Sequence, residues 1–516
     1  MGRVQKIKMA TYPNLIAENA EVTSTYKQVA QFMSDKIIEE FLPLCEIPHP
    51  SGHIEQMREY LLNWGKTHNV ETNLDPSGCV YMDIPAEKGC EEIPKVIFQS
   101  HYDMVAVAAK ENTKFDPLNT PIKPVYDEKN GLIHTGWKTS LGADDGHGIA
   151  TMLALVLMHQ DKNVKFAHGS IRLIFTYDEE TTLKGIKTLN TEVIDAKYLI
   201  NLDSIYVGMI ITSSAGGFYA IADKKMSRME PGKKSNVVSL EIWGLSGGHS
   251  GADIHKNQGN TLAILTDYLT RLLEENINFN IRYIKSGILM NAIPAKMLAE
   301  LVVGYHDAQR AEEIAQEVVD AAKQKYSDGD SLQYELEIRE ASEKPVLSIS
   351  DSMKIYHILT MLPIGVIERF ANGSVKTSNN VGLLEIYDDV LRCEILYRSA
   401  DHEQLDTAMR TMLNVTVDND IEMKVENIFP AWPKNIDNPL NKLIAEAYEK
   451  TSDIEIATLD IHAGLETGYI SRKRPDVIMA SIGCDIVNEH SRKETFFTKS
   501  LPAYCASIIY TLEHLS

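Results

Sequence analysis

Apolar residues recur at helical spacing between Thr25 and Glu40. Val29, Phe32, Met33, Ile37 and Ile38 fall on one face, and Phe41 continues it, which predicts an amphipathic helix. Three prolines between Leu42 and Ser51 predict a break, and Ile54–Trp64 predicts a second helix. Short apolar runs at Val80–Ile84 and Lys95–Gln99 predict strands. A loop-rich stretch with Pro117, Pro121, Pro124 and Gly131 follows. Irregular chain of that length inside a domain is usually functional. It leads to Ser140–Gly148 and then to the uninterrupted apolar run Ile149–Met158, which predicts a buried helix with Asp144 and Asp145 at its N-terminus. Ser170–Tyr177, Lys197–Leu202 and Pro475–Ile482 predict further strands.

Residues 214–427 read as a separate unit. Ser213–Gly217 predicts a hinge. Val237–Trp243, Ile281–Ile284, Leu298–Val303 and Val390–Tyr397 predict strands. Thr261–Glu275, Ala308–Tyr326, Ser352–Met361 and Asp401–Leu413 predict helices, the last opening with Asp401 and Gln404 in capping-box fashion. The alternation predicts a βαββαβ-like domain inserted into the first. The chain returns near Pro430–Pro433, and Asn438-Pro439 predicts a helix start. The expected division is an N-terminal extension (1–25), a first domain begun at 26–213, an inserted domain (214–427) and the completion of the first domain (428–516).

Composition narrows the function classes. The chain has 516 residues, 44% of them hydrophobic and 24% charged, enough for two or three cores of ordinary globular type. A formal charge of −21 argues against nucleic acid and anionic membrane surfaces as partners. Six scattered cysteines without C-x-x-C spacing indicate neither a disulfide framework nor a cysteine zinc site, and a reducing compartment, the cytoplasm, is expected. The N-terminus lacks the apolar core of a secretory signal, and no apolar run approaches a membrane span.

The candidate chemistry sits at strand ends. The strand Lys95–Gln99 runs into Ser100-His101-Tyr102-Asp103, and residues two apart on extended chain share a face. A metal-ligating imidazole needs its ring fixed, and a carboxylate two residues on can do that. The strand Ser170–Tyr177 runs into Asp178-Glu179-Glu180, Lys197–Leu202 into Asp203, and Pro475–Ile482 leads to Glu489-His490. In an open α/β sheet the functional crevice lies outside the carboxyl ends of the strands. One Asp suffices to cap a helix, so the pair Asp144-Asp145 between glycines points to a second use. His101, Asp144, Glu180, Asp203 and His490 make a mixed His/carboxylate set suited to two Zn²⁺ or similar ions. Glu179, next to the expected ligand Glu180, is the candidate general base.

The motifs SHYDMV, LGADDGHG, TYDEE, NLDS, GLSGGHSGADI, NAIP, IHAGLETG and NEHS, in that order over about three-quarters of the chain, resemble those of the aminoacyl-histidine (Xaa-His) dipeptidases, a branch of the co-catalytic zinc exopeptidases. The resemblance implies an α/β fold, with a mixed central sheet flanked by helices in the catalytic domain and an inserted α/β lid or dimerisation domain. It implies two Zn²⁺ per subunit, with Co²⁺ or Mn²⁺ as substitutes, held by His101, Asp144, Glu180, Asp203 and His490, and Asp144 bridging. It implies that Asp103 orients His101, that Glu179 is the base and that His249 polarises the scissile carbonyl. Asn291, Arg398, His462 and Gly464 resemble positions that receive the substrate carboxylate. A small unblocked dipeptide substrate and a homodimer through the lid are implied as well.

Two positions depart from the family pattern: Tyr102 stands where Leu is usual, and Asp145 where Asn is usual. The latter is expected to add negative charge near the metals. An amidohydrolase of N-acyl amino acids would share the same metal chemistry and stays open as the alternative. Gly244-Leu245-Ser246-Gly247-Gly248 fits the serine-hydrolase pattern formally, but no helix is expected directly after it. A non-catalytic homologue would lack a ligand or the base, and none is missing.

Overall fold

The computed structural model describes residues 24–341, 344–387 and 389–516. Residues 1–23 of the expected N-terminal extension lie outside them. The described residues form two compact units. One comprises Ser214–Pro433 and Asp460–Gly464, and the other comprises the rest.

The first unit is built on an eight-stranded sheet. Its strands, in chain order, are β1 (Glu71–Leu74), β2 (Val80–Ile84), β3 (Val96–His101), β4 (Ile171–Thr176), β5 (Tyr198–Ser204), β6 (Met209–Ser214), β7 (Ala457–Ile461) and β8 (Ile478–Gly483). Their spatial order is β1-β2-β4-β3-β5-β8-β6-β7. β4, β3, β5 and β8 are mutually parallel, while β1, β2 and β6 join antiparallel, so the sheet is mixed as expected. Parallel strands are covered on both faces and read as continuous apolar runs. β3 is buried at all six positions.

Helices α1 (Ser24–Cys45), α2 (Glu55–Thr67), α3 (Ala143–Gln160), α4 (Pro439–Thr451), α5 (Glu466–Lys473) and α6 (Leu501–His514) belong to this unit. α3 is apolar all round and packs against α1 and both central strands β3 and β5. α1 runs through Pro43 to Cys45, past the expected break. Leu44 and Cys45 are buried there, and the turn closes only afterwards, where Glu46 and Ile47 donate to the carbonyls of Pro43 and Leu44. Asn438 caps α4 as the sequence indicates, accepting from the amides of Leu440 and Asn441.

The second unit is an antiparallel sheet. Its spatial order is Gln333–Glu340, Ser235–Trp243, Met297–Gly304, Phe279–Gly287, Val375–Tyr387, Val390–Ser399, Gly216–Lys225 and Glu422–Phe429, with Gly365–Arg369 paired beside Val375–Tyr387. Helices Thr261–Glu274 and Ala308–Lys325 bury their apolar stripes (Leu262, Leu265, Leu269; Ile314, Val318) in the same core as the sheet. All four strands expected here are present, but the sheet is larger than a βαββαβ unit. The expected hinge at Ser213–Gly217 falls where the chain passes from the first unit to the second, between the strands Met209–Ser214 and Gly216–Lys225. A Cβ on Gly217 would lie 2.6 Å from both the Phe429 ring and the Tyr397 carbonyl, so close strand packing requires this glycine.

Candidate functional site

The parallel strands deliver their carboxyl ends to one edge of the first unit. His101 is the last residue of β3, and it pairs in register with Thr176, the last residue of β4. Asp178, Glu179 and Glu180 follow β4 directly, and Asp203 lies near the end of β5. His490 sits in the loop beyond β8, with a positive φ of 56°.

Asp144 stands between two sets of donors. Its Oδ1 lies 3.3 Å from His101 Nε2, and its Oδ2 lies 3.2 Å from His490 Nε2. His490 Nε2 is also 2.7 Å from Glu180 Oε1. Potential ligand atoms of His101, Asp144 and Asp203 lie within 4.8 Å of one another, and so do those of Asp144, Glu180 and His490. All five expected metal ligands are thus gathered, with Asp144 common to both groups. Glu179 joins His101 and Glu180 in a third such group.

The two aspartates of Asp144-Asp145 divide the labour. Neither has helical backbone, so the regular helix of α3 begins only after them, and the peptide bond between them is cis. Asp145 Oδ1 accepts from the Gly148 amide at 3.2 Å, the capping role, while Asp144 faces the histidines. Burial and the neighbouring Asp144 carboxylate push the Asp145 carboxyl up from its ordinary value. The other departure, Tyr102, is buried and its hydroxyl donates to the Gly78 carbonyl at 2.9 Å.

His101 Nδ1 donates to the main-chain carbonyl of Asp103 at 2.9 Å, with the Asp103 carboxylate at 3.4 Å. That fixes the tautomer and leaves Nε2 as a lone-pair donor. The Asp103 carboxylate also accepts from Ser51 Oγ at 2.7 Å and from the amides of Glu179 at 3.0 Å and Glu180 at 3.4 Å. Asp103 therefore orders the acidic turn as well as the imidazole.

The electrostatics fit a cation-binding site. Burial and neighbouring carboxylates push Glu179, Glu180 and Asp203 up. Asp144 is driven down, since bonds from His101 and His490 outweigh its burial. Asp144 and Glu180 push His490 up to about 11. Crowded carboxylates of this kind, interleaved with imidazoles, match the donor chemistry of divalent zinc-type ions, which relieve the repulsion.

Two buried acids were not singled out in the sequence. Glu494 accepts four amide hydrogen bonds from the loop before α3, from Leu141 (2.7 Å), Gly142 (3.0 Å), Ala143 (2.7 Å) and Asp144 (3.2 Å). Glu466 Oε2 accepts from Thr176 Oγ1 at 2.6 Å and Gln99 Nε2 at 2.5 Å, beneath the ends of β3 and β4. Burial pushes each of them up to about 7. The one sequence signal for Glu494 is its place four residues after His490, and Glu466 lies in the quoted motif IHAGLETG.

The remaining candidates lie in the second unit and gather around Gly251. A Cβ there would lie 2.7 Å from the His462 carbonyl, 3.1 Å from the His249 ring and 3.3 Å from the Arg398 guanidinium. The Ser250 amide donates to the Asn291 carbonyl at 2.8 Å. His462 Nε2 lies 2.7 Å from Ser378 Oγ. Arg398 is buried, and burial lowers its pKa to about 10, while His462 falls to about 3 through burial and the charge of Arg398. Gly464 closes the same short segment, Asp460–Gly464. The pattern around Ser246 is not a nucleophile elbow: only a short 3₁₀ turn, Ile254–Lys256, intervenes before the helix at Thr261.

Residues 97–514 match the model of peptidase family M20/M25/M40. The chain belongs to that family. It is a peptidase, a hydrolase of peptide bonds. Members resembling it span nearly its whole length. The cytosol non-specific dipeptidase of Escherichia coli (strain K12) is 29% identical over 494 residues, 95% of this chain and 99% of that protein. The crystal structure of aminoacylhistidine dipeptidase from Vibrio alginolyticus superposes with a TM-score of 0.84 at 26% identity, covering 93% and 96%. Aminopeptidase PepT from Bacillus cereus shares the fold at TM-score 0.53 and 16% identity, covering 93% and 98%.

Proposed function

We propose that this M20 peptidase is a two-metal dipeptidase that cleaves short unblocked dipeptides and favours a C-terminal histidine. The observation that carries the reading is Asp144, one carboxylate facing two His/carboxylate groups. The near full-length similarity to two dipeptidases, one of them acting on aminoacyl-histidine by its name, supports the substrate class.

In this reading His101 and Asp203 would hold one ion, Glu180 and His490 the other, and Asp144 would be shared between them; zinc is the ion proposed, with Co²⁺ or Mn²⁺ as replacements. Such ions, when bound, supply Lewis acidity and make water acidic enough to ionise near neutral pH. Glu179 takes the proton from the attacking water and passes it to the leaving amine. Burial and the neighbouring carboxylates raise its pKa, which favours its taking up that proton. Asp103 holds His101 and the Glu179-Glu180 turn in place. His249 polarises the scissile carbonyl, and Arg398 pairs with the substrate carboxylate through its planar fork, assisted by Asn291, His462 and Gly464.

Among the described residues no helix is long and apolar enough to cross a membrane. A cytoplasmic location fits the E. coli relative's name and the six cysteines, all free here. The inserted unit acts as lid and dimerisation surface in this reading, and size-exclusion chromatography with light scattering tests the homodimer.

The substrate test is a small panel: Xaa-His dipeptides, other dipeptides, an N-acetylated analogue and a tripeptide. Cleavage of free dipeptides, fastest for Xaa-His, is the expected result. Cleavage of the blocked analogue alone would move the activity to an acyl-amino-acid hydrolase.

A further inference from the structure

A second His/carboxylate cluster lies at the other end of α3. Glu87, His159 and His168 each offer one ligand atom, and the three atoms lie within 4.8 Å of one another. His159 sits in the last turn of α3, about 20 Å along the helix axis from Gly146 at 1.5 Å per residue. None of the three takes part in the catalytic constellation.

The cluster is ordered as a ligand set. His168 is fully buried, and its Nδ1 donates to the Gly169 carbonyl at 2.8 Å. That bond fixes the tautomer and leaves Nε2 as a lone-pair donor, the arrangement seen where a backbone carbonyl orients a metal-binding histidine. Nε2 points at His159 Nδ1, 3.1 Å away. Glu87 Oε2 stands 4.0 Å from the same His159 nitrogen. The Glu87 amide donates to the His168 carbonyl at 3.0 Å, which ties the acid's backbone to the residue carrying the ring. Phe166 packs against the His168 ring with centroids 4.7 Å apart, closing the inner side. His159 and Glu87 are partly exposed, so an ion enters from solvent. The carbonyl end of α3 adds its negative dipole.

A hydrogen bond between the two histidines needs no third partner. The carboxylate beside the paired nitrogens completes a His₂Glu set, three protein ligands with room for water, as zinc uses elsewhere. We infer that Glu87, His159 and His168 form a further divalent-cation site of zinc type, separate from the catalytic residues, which clamps the C-terminal end of α3 to the segment leading into β4. Binding requires the His159 proton to move from Nδ1 to Nε2, which frees Nδ1 as a ligand without a net loss of protons.

The test compares zinc content and affinity in the full-length wild type, His159→Gln and Glu87→Gln, each equilibrated with Zn²⁺, desalted and analysed by mass spectrometry. Wild type is expected to hold one more zinc per chain than His159→Gln. Glu87→Gln is expected to bind that ion at least ten-fold more weakly, and both variants are expected to keep wild-type turnover. Glu87 is a surface residue, so its variant reports even where His159→Gln folds poorly. Equal zinc content and affinity in all three proteins overturns the site. The comparison is between variants and stands whatever substrate the peptidase cleaves.

Discussion

Asp144 Oδ2 and His490 Nε2 face each other at 3.2 Å although 346 residues separate them in the chain. The fold brings them together by carrying the chain out through the second unit and back. The loop before α3 then meets the loop after β8. Glu494, four residues beyond His490, grips the amides of the Asp144 loop and fixes that meeting point.

Glu494→Gln is therefore expected to loosen the bridge. An amide offers one accepting oxygen where the carboxylate offers two, so two of the four buried amides lose their acceptor. The expected cost is about 2–6 kcal/mol of stability, since each unmet buried donor costs ~1–3 kcal/mol. Turnover is expected to fall about ten-fold. Chemical denaturation and steady-state kinetics check both.

Glu179→Gln separates the base from the ligands. Turnover is expected to fall by about 10²–10⁴-fold, the usual contribution of general-base catalysis, with metal content unchanged. Near wild-type turnover in this variant removes Glu179 from the role.

Gly251→Ala probes the second unit. The added methyl meets the His462 carbonyl, the His249 ring and the Arg398 guanidinium at distances that force a shift. An expected loss of about 10–100-fold in kcat/KM, mainly through KM, follows if these groups receive the substrate. Metal content is expected to stay at the wild-type value. Unchanged kinetics would place substrate recognition elsewhere.

The fold was legible where one pattern served one purpose. β3, β4 and β5 are apolar runs that end in His, Asp or Glu, and the parallel register turns those ends into one edge. The antiparallel unit was less legible. Val375–Tyr387 is buried through Thr377, Ser378, Asn379 and Asn380, polar residues that do not read as a core strand. The sequence marks Ser213–Gly217 as a boundary, but not that Gly217 is also required by close strand packing. Glu494 and Glu466 carry only faint sequence signals, because a buried acid that accepts backbone amides or neighbouring side chains has no spacing rule of its own. Asp145 was legible as an acid but not as a buried one, since its burial comes from residues distant in sequence.

The acid side of the stability profile has a specific contributor. Burial and Arg398 hold His462 down to about 3, so the folded chain keeps it neutral. Its stability contribution is full above the unfolded value near 6.5. It is lost as pH falls from there toward 3, where the unfolded chain takes up a proton that the folded chain refuses. Between pH 6.5 and 5 the loss is about 2 kcal/mol at 1.36 kcal/mol per pH unit. His462→Gln is expected to flatten that slope in urea midpoints measured across this range, and an unchanged slope contradicts the assignment.

The most direct measurement is a zinc titration of the metal-stripped protein, with hydrolysis of an Xaa-His dipeptide as readout and Asp144→Asn in parallel. The expected result is no turnover without metal, recovery of wild-type turnover on zinc addition, and no recovery in Asp144→Asn. Turnover that persists in the stripped protein, or that zinc restores equally in Asp144→Asn, would contradict a reaction built on the carboxylate shared by His101 and His490.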